Sequence, residues 1–415
     1  MHDHDDMLDR STAVDRVLGL REASLPTRDT ERVTLDEVGG RVLAESVVAE
    51  ADAPAESRST MDGFAFDATD DYPFTLREHE VFPESDAGEV AAGEAARVAT
   101  GAPVPRGANA VIKREDATVE DGELRAGPDV APGTYVYERG SNFHAGDELF
   151  ASGTRLGPKD AILLGDLGHE TVAVYERLSV GVVATGTEIH EGVSRDLDSA
   201  MLQGLVRAWG HDATYEGSAP DEYDRVESLV AETARNHDVV VTTGGTSVGH
   251  KDHVVRALSE LGEVLFHRVR VRPGKPIAVA RLPDHDAVAF AIPGKPVGAH
   301  TIATLVARPF FTGDTTLPTV EATLARDVGL GPSGFEYVVP VTLAAGDAED
   351  AGDEEETEAM PLGHADSPLS VYTDTFDPSV LSSSTRATRA DGVVVTTEPL
   401  SAGDAVQVVP YSVLE

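Results

Sequence analysis

The chain has 415 residues, more than one domain usually holds, which predicts several domains around a sizeable core. Its 73 Asp and Glu residues outnumber 33 Lys and Arg residues, and the net charge of -40 argues against binding to nucleic acid or to an anionic membrane surface. The absence of cysteine excludes disulfides, thiolate zinc sites and cysteine nucleophiles.

The acidic residues are spread along the chain, which favours a solvated surface suited to a salt-rich cytoplasm and predicts a halophilic source. The leader, residues 1–6, is acidic where a secretory signal would be basic, and no apolar run approaches the ~20 residues of a membrane span. We therefore expect a cytoplasmic protein. His2 and His4 could bind metal, although a frayed polar tail fits this leader better.

Apolar residues recur at helical spacing in residues 12–23 and again in residues 35–47, which predicts two amphipathic helices. From about residue 53 to residue 147 the pattern changes to short runs such as Ala110–Lys113, separated by turn residues and prolines. This region is predicted to be a β-rich domain.

Between residues 178 and 311, strand-length apolar runs alternate with helical ones, which predicts an α/β layer on a largely parallel sheet. The predicted strands are 180–184, 239–243 and 288–292, and the predicted helices are 200–209, 225–234, 254–261 and 298–307. From residue 317 the strand pattern returns, as in residues 336–343 and 392–397. The acidic stretch 345–358 is expected to be an exposed, mobile insertion.

The predicted fold class is a multi-domain chain of α/β plus β type. We expect a helical N-terminal domain made of residues 1–52 and 141–177, and a β-rich domain at 53–140. A central three-layer α/β domain would occupy 178–315, and a small β domain would follow at 316–415.

The most informative segment is a β-branched strand, residues 239–243, that runs into a turn rich in glycine and hydroxyl residues. Backbone amides in such a turn can approach an anion and cradle a phosphate. For a Gly-Gly pair alone an ordinary strand-to-helix turn is the better interpretation, so the neighbouring turns decide. The turn residues in question are Gly244, Gly245, Thr246, Ser247 and Gly249.

Two further turns carry cations. Arg268, Arg270, Arg272 and Lys275 form a basic cluster in a strongly acidic chain, which fits either an anion site or the neutralisation of nearby carboxylates. A third strand-ending turn has the sequence Pro293, Gly294, Lys295 and Pro296. Three such turns in one α/β unit indicate one rim at the carboxyl ends of the strands.

Acidic residues recur at the same places along the chain. Glu188, Asp221 and Asp252 each follow a predicted strand end or turn. A single acid in this composition is most simply a surface residue, whereas three at successive strand ends could hold Mg2+, which bridges to substrate phosphates.

Several segments resemble, in order, the motifs of the molybdopterin molybdenumtransferase family, to which MoeA and the gephyrin E-domain belong. The resemblance covers nearly the whole chain. The matching segments are Ser59-Thr60-Met61-Asp62-Gly63-Phe64-Ala65, Thr100-Gly101-Ala102-Pro103-Val104-Pro105, Ala184-Thr185-Gly186-Thr187-Glu188, Gly244-Gly245-Thr246-Ser247-Val248-Gly249 with Asp252, Arg272-Pro273-Gly274-Lys275-Pro276 and Pro293-Gly294-Lys295-Pro296.

The resemblance implies an elongated homodimer of four-domain subunits, with the site between the α/β domain of one subunit and the β domain of the other. It implies an adenylylated molybdopterin substrate, molybdate, Mg2+ and AMP as the leaving product. A molybdopterin adenylyltransferase would donate the substrate, and molybdoenzymes would accept the finished cofactor.

The resemblance also implies roles for individual residues. Asp62, Glu188, Asp221 and Asp252 would hold Mg2+ or orient the attacking oxyanion, and Thr100 would donate a hydrogen bond. Arg268, Arg272 and Lys275 would balance molybdate and phosphate charge. The turn from Gly244 to Gly249, together with Pro293, Gly294, Lys295 and Pro296, would bind the pterin and its phosphate.

Three positions depart from the family pattern. Asn142 stands where the family has a carboxylate, with Asp147 nearby as a substitute; Ala200 and Lys295 each stand where the family has asparagine. These changes keep one alternative open beside the molybdate insertase, a non-catalytic protein that binds or delivers the pterin cofactor or scaffolds its assembly. An insertase specific for tungstate is also left open, because molybdate and tungstate share charge and nearly share size.

Overall fold

The structure is a computed structural model that describes residues 7–245, 253–345 and 357–415. The predicted features at residues 1–6 and 346–356 lie outside these ranges. The chain divides into two compact units. The first unit comprises Met1–Arg41, Arg155–Pro158 and Val174–Glu415, and the second comprises Val42–Thr154 and Lys159–Ala173. None of the helices in the described ranges has the length and apolar character needed to cross a membrane.

The second unit is built on a six-stranded sheet, which confirms the predicted β-rich region. Its central strand Gly63–Phe66 is fully buried and pairs antiparallel with Glu94–Val98 and with the predicted strand Ala110–Lys113. The remaining strands of the sheet are Phe74–Leu76, Glu123–Ala126 and Thr118–Glu120. Two small ribbons, Arg58–Ser59 with Val136–Tyr137 and Val47–Val48 with Glu148–Phe150, and the helix Asp160–Asp166 complete the unit.

The α/β domain of the first unit has a six-stranded sheet with helices packed on it, as predicted. Its strands, numbered within this domain, are β1 (Ser179–Thr185), β2 (Asp212–Ala219), β3 (Val239–Thr243), β4 (Glu263–His267), β5 (Ala278–Leu282) and β6 (Ala287–Ile292). The spatial order is β2-β1-β3-β6-β5-β4. Strands β2, β1, β3 and β6 are parallel, and β5 and β4 add an antiparallel edge.

The helices of this domain are α1 (Thr187–His190), α2 (Asp198–Ala208), α3 (Tyr223–Asn236), α4 (His253–Leu261) and α5 (Pro296–Ile302). A π-helical turn, Ala303–Ala307, and the helix Arg308–Thr312 continue from α5. Both faces of the sheet are covered, because successive β1 residues point to different cores: Val182 belongs to one apolar cluster and Val183 to another. The continuous apolar strands predicted from the sequence are explained by this double burial.

The C-terminal part of the first unit is a small β barrel, in agreement with the predicted β domain. The long strand Glu336–Ala345 pairs with both Thr357–Pro361 and Gly392–Thr396, which closes the sheet on itself. The other barrel strands are Val320–Leu324 and Ala405–Pro410, and the edge strand Val271–Arg272 joins Glu336–Ala345 in parallel. A separate parallel pair is formed by Gly363–His364 and Ser370–Tyr372, and the helix Pro378–Leu381 follows.

The predicted N-terminal helix is present as Arg10–Ser24, which buries Val14 and Val17 as its periodicity requires. The second predicted helix, residues 35–47, was wrong. Only the 3-10 turn Leu35–Glu37 forms there, because Gly40 turns the chain with a φ of 79°. The backbone then bonds to another segment, as Gly40 N donates to Leu156 O over 2.8 Å. Val38, Val42, Leu43 and Val47 are still buried, although no α-helix forms over this segment.

Candidate active site

A cavity of about 800 Å³ opens at the carboxyl ends of β1, β3 and β6. Thr185 ends β1, Thr243 ends β3 and Pro293 follows β6, and all three contribute to the wall. Because parallel strands end at one edge of the sheet, the loops that follow them face the same space. The predicted site residues that line the cavity are Glu188, Asp221, Gly244, Gly245, Arg272, Lys275, Pro293, Gly294, Lys295 and Pro296.

The other predicted site residues either are not part of this cavity wall or lie outside the described residues. Arg268 lies outside its wall, in a left-handed conformation with a φ of 76°. Asp62 and Thr100 belong to the second unit. The predicted residues Thr246, Ser247, Gly249 and Asp252 lie outside the described residues.

The glycine-rich turn requires glycine for steric reasons. Gly244 has a φ of 86°, and a Cβ atom there would lie 2.6 Å from the carbonyl oxygen of Thr185. Gly294, in the neighbouring turn, approaches it closely, since its own Cβ would lie 2.9 Å from the Cα of Gly244. Gly244 N donates to Ile292 O over 3.1 Å, which ties the turn to β6. Two strand-ending turns are therefore packed backbone against backbone at the cavity wall.

Two carboxylates stand at the ends of β1 and β2. Glu188 lies in α1, directly after β1, and Asp221 follows β2, where its backbone N–H donates to Thr187 Oγ1 over 3.0 Å. Carboxylate oxygens of this kind suit Mg2+, which completes its shell with water. Within the described residues no group of three acidic or histidine side chains could hold a metal, and the third ligand implied by the resemblance, Asp252, is not among them. A Mg2+ ion held by Glu188 and Asp221 would therefore take most of its ligands from water and substrate.

The cations of the wall differ in how they are held. The Arg272 guanidinium lies 4.1 Å from the centroid of the Phe335 ring, a cation–π contact that orients it. Lys295 Nζ donates to the backbone carbonyl of Ser379 over 3.0 Å. Arg195, from the loop before α2, also lines the cavity and was not singled out from the sequence. With Lys275, these side chains place four cations in a wall that also holds four carboxylates, and each cation is a possible partner for an oxyanion.

Asp198, in the first turn of α2, was also missed as a site residue. It is 5 % exposed and lines the cavity. Its Oδ2 accepts a hydrogen bond from Thr243 Oγ1 over 3.1 Å, whereas its Oδ1 has no partner among the described residues. Burial, with the nearby charge of Asp196, raises the pKa of Asp198 to about 6. Composition does not distinguish it among 73 acidic residues, and the sequence signal at this position is the segment Asp198-Ser199-Ala200, which resembles a family motif.

The C-terminal segment supplies one side of the cavity, which the sequence did not predict. Asp377 caps the helix Pro378–Leu381 by accepting hydrogen bonds from Ser379 N over 2.9 Å and Val380 N over 3.2 Å. Val297 N, in α5, donates to Ser382 O over 3.1 Å. Pro378, Ser379 and Ser382 thereby stand in the cavity wall.

Asp62 and Thr100 form a local pair in the second unit. Thr100 donates to Asp62 Oδ1 through its backbone N–H over 2.7 Å and through its hydroxyl over 2.9 Å. These hydrogen bonds, with the charge of Arg114, hold the pKa of Asp62 below its usual value. Within the second unit the acceptor for Thr100 is therefore Asp62, which stays ionised at neutral pH.

Asn142, the departure at the family's carboxylate position, has a carboxylate partner of its own. Its amide Nδ2 donates to Asp166 Oδ2 over 2.9 Å. Asp147, the substitute considered from the sequence, is engaged elsewhere, because its Oδ2 accepts from His144 N over 2.8 Å. A carboxylate therefore stands beside Asn142, and it belongs to Asp166.

Comparison with known proteins agrees with this architecture. Residues 10–168 match the family profile described as "MoeA N-terminal region (domain I and II)", and residues 181–313 match the profile "Probable molybdopterin binding domain". The second match coincides with the α/β domain that carries the cavity.

Individual relatives point to the same family as the profiles. The chain is 31% identical to the molybdopterin molybdenumtransferase of Synechococcus elongatus over 325 residues, which is 73% of this chain and 79% of that protein. It is 32% identical to the enzyme of the same name from Haemophilus influenzae, over 68% of this chain and 71% of that one. A crystal structure of the molybdopterin biosynthesis MoeA protein from Pyrococcus horikoshii superposes with a TM-score of 0.66 at 25% identity, covering 98% of this chain and 99% of that chain.

Proposed function

The chain belongs to the molybdopterin molybdenumtransferase family, which makes it an enzyme of molybdenum cofactor biosynthesis, and on this premise we propose the step it performs. We propose that it inserts molybdate into adenylylated molybdopterin and releases AMP. The observation that carries the proposal is the cavity, in which two backbone turns, four carboxylates and four cations meet in the domain that matches a molybdopterin-binding profile.

The residues of the cavity wall suit two substrates that both carry negative charge. The N–H group of Gly245 would bind the pterin phosphate, because the turn brings this backbone donor to the cavity without a side chain in the way, while Gly244 N–H stays bonded to Ile292 O. Arg272 and Lys275 would neutralise molybdate and the phosphate that leaves with AMP. Arg272 is already oriented by Phe335, so little side-chain freedom is lost on binding.

We further propose that Glu188 and Asp221 hold Mg2+ in the cavity, next to the substrate phosphate. When bound, Mg2+ would stabilise the negative charge that develops on the phosphate as AMP leaves. Both carboxylates follow strand ends and line the cavity, which is where a phosphate-bridged ion is expected.

Asp62 is proposed as an ionised carboxylate that turnover requires. Replacement by alanine in Asp62→Ala should abolish molybdate-dependent turnover and leave the fold intact, because Asp62 is exposed and its side chain contacts Thr100 rather than the core. Retained turnover in this variant would remove Asp62 from the mechanism.

The molecular context is part of the proposal. We propose a homodimer that receives its substrate from a molybdopterin adenylyltransferase, passes the cofactor to molybdoenzymes and works in a salt-rich cytoplasm, where ions screen the net charge of -40. Light scattering of the full chain in concentrated KCl and in dilute buffer tests the dimer and its salt requirement.

The direct test is AMP release from adenylylated molybdopterin in concentrated KCl with Mg2+. Three parallel reactions contain molybdate, tungstate or neither oxyanion. Release that depends on molybdate supports the proposal, and release with tungstate alone identifies a tungstate-specific insertase. Tight pterin binding without AMP release would contradict the insertase and favour the binding or delivery protein that Asn142, Ala200 and Lys295 leave open.

A further inference from the structure

We propose that Asp198 is a positioning residue beside the Gly244-Gly245 turn, and that it takes up a proton when an oxyanion binds in the cavity. The inference rests on the proposed function only in placing the oxyanion in this cavity. It adds a residue and a proton to the site, and both can be measured without turnover.

The position of Asp198 supplies the first support. Its carboxyl group reaches from α2 to the end of β3, where Thr243 is the last residue before Gly244. Thr243 is held from a second side, since Thr185 Oγ1 donates to Thr243 O over 3.2 Å. A change at Asp198 is therefore transmitted directly to the residue from which the turn begins.

The second support is an incomplete set of hydrogen bonds. Asp198 Oδ1 and Ser199 Oγ are both buried without a partner among the described residues. The donors at the start of α2 are already used, because Asp196 Oδ1 accepts from Asp198 N over 3.1 Å and from Ser199 N over 3.0 Å. Among the described residues an ionised Asp198 thus has a single donor, Thr243, to stabilise its charge, which is a costly state for a buried carboxylate.

The third support is electrostatic. Burial and the charge of Asp196 raise the pKa of Asp198, while the hydrogen bond from Thr243 lowers it, with a net value of about 6. Tyr215, on β2, lies close to Asp196, and His300, on α5, is paired with Glu415 over 2.8 Å. The ionisable groups that line the cavity with Asp198 are Glu188, Arg195, Asp196, Asp221, Arg272, Lys275 and Lys295.

A dianionic oxyanion in this cavity would add negative charge near a carboxylate that is already poorly stabilised. Protonation of Asp198 removes that repulsion, so the neutral form binds the oxyanion more tightly. At pH values above the pKa of Asp198, the affinity should therefore fall about tenfold for each pH unit. The same linkage requires up to about one proton to be taken up for each oxyanion bound near pH 7.

Calorimetric titration of the full chain with molybdate tests this directly. Molybdate takes up no proton near neutral pH, so titrations in two buffers of different ionisation enthalpy report proton uptake by the protein. Wild-type protein should take up protons near pH 7. Asp198→Asn keeps an acceptor for Thr243 but carries no charge, and should bind molybdate with no proton uptake and with a flat pH profile. The matched control Glu191→Gln, an exposed carboxylate next to α1, should behave as wild type.

A second variant guards against a fold defect in Asp198→Asn. Thr243→Val removes a hydrogen bond that favours ionised Asp198, so proton uptake should move to higher pH without being lost. Proton uptake that is unchanged in both variants, or a wild-type protein that binds molybdate without uptake, would overturn the proposal. Linked binding without AMP release would instead overturn the proposed function and leave the role of Asp198 standing, whereas failure of the wild type to bind molybdate would overturn both.

Discussion

The amino and carboxyl ends of the parallel strands form two opposite edges of the α/β sheet, and polar side chains are bonded differently at each. At the amino edge, Ser179 N donates to Asp238 Oδ2 over 2.7 Å, the Ser179 hydroxyl bonds to His237 Nδ1 over 2.6 Å, and His237 Nε2 bonds to Glu216 Oε1 over 3.1 Å. At the carboxyl edge, buried oxygens of Asp198 and Ser199 have no partner in the described part of the chain. The amino edge satisfies its polar groups within the protein, whereas the carboxyl edge leaves some unsatisfied beside a cavity.

This difference separates stability from function within one sheet. A polar group that is fully bonded inside the protein contributes to the free energy of folding, and its removal is felt mainly there. An unbonded buried group in a cavity wall lowers the free energy of unfolding, but it is available to a ligand. Substitutions at the two edges should therefore have separable effects on stability and on catalysis.

The largest effect is expected from Gly294→Ala at the carboxyl edge. The new Cβ would lie 2.9 Å from Gly244 Cα and would push the two turns apart. A displacement of this size at a binding site should lower kcat/KM by about 100-fold, measured as oxyanion-dependent AMP release. Gly204→Ala in α2 is the control, because a Cβ there meets no atom within 4 Å and should leave the rate unchanged. Equal activity of the two variants would contradict the close packing of the turns.

The next effect is expected from His211→Ala, on the side of the domain away from the cavity. Buried His211 accepts from Leu178 N over 3.1 Å and bonds through Nε2 to Phe311 O over 3.0 Å. Loss of both bonds should lower the free energy of unfolding by about 2–4 kcal/mol, measured by urea denaturation. The KM for substrate should not change. The control is His79→Ala, at an exposed position. Equal stability of the two variants would show that the two hydrogen bonds of His211 are unimportant.

His211 and Asp198 should also give the free energy of unfolding opposite dependences on pH. Burial lowers the pKa of His211 to about 4, so its neutral form is favoured in the folded state, and the stability it contributes is lost as pH falls from about 6.5 towards 4. Burial raises the pKa of Asp198, so its contribution is present at low pH and is lost as pH rises from about 4 towards 6. Urea denaturation of His211→Ala and Asp198→Asn across this pH range should show differences from wild type of opposite slope. Parallel slopes would contradict the assignment.

The smallest effect is expected from Lys295→Met. Lys295 is bonded to the carbonyl of Ser379 at an exposed position, so its loss should change the free energy of unfolding by less than about 1 kcal/mol. It should raise the KM no more than about threefold through a looser C-terminal wall. Lys159→Met, at another exposed lysine, is the control. Complete loss of oxyanion binding would show instead that Lys295 contacts the substrate itself.

The sequence was most informative where local pattern and packing agree. Strands such as Val239–Thr243 were predicted because residues buried on both faces are continuously apolar, and α4 because its apolar residues recur at helical spacing. Strand β2 was missed because it lies at the edge of the sheet and buries only its ends, Ala213 and Ala219. Residues 35–47 have helical spacing, but a glycine turn and bonds to a distant segment decide their conformation.

The cavity was predicted only in part for a similar reason. Turns that follow strands, such as Gly244-Gly245 and Pro293-Gly294, are visible in the sequence because glycine and proline mark them. The role of Lys295 depends on Ser379, which is 84 residues away, and the role of Asp198 depends on Thr243, which is 45 residues away. Contacts over such separations are set by the tertiary fold, so no local pattern reports them.

Hydrogen–deuterium exchange of the full chain, with and without molybdate and AMP, tests most directly whether these ligands bind at the carboxyl edge of the sheet. The ligands should slow exchange at the amides of Gly244, Gly245 and Gly294, where the two turns line the cavity. Exchange at the amino edge, at Ser179 and Asp238, should not change. Protection confined to the amino edge, or no protection at either turn, would contradict the account.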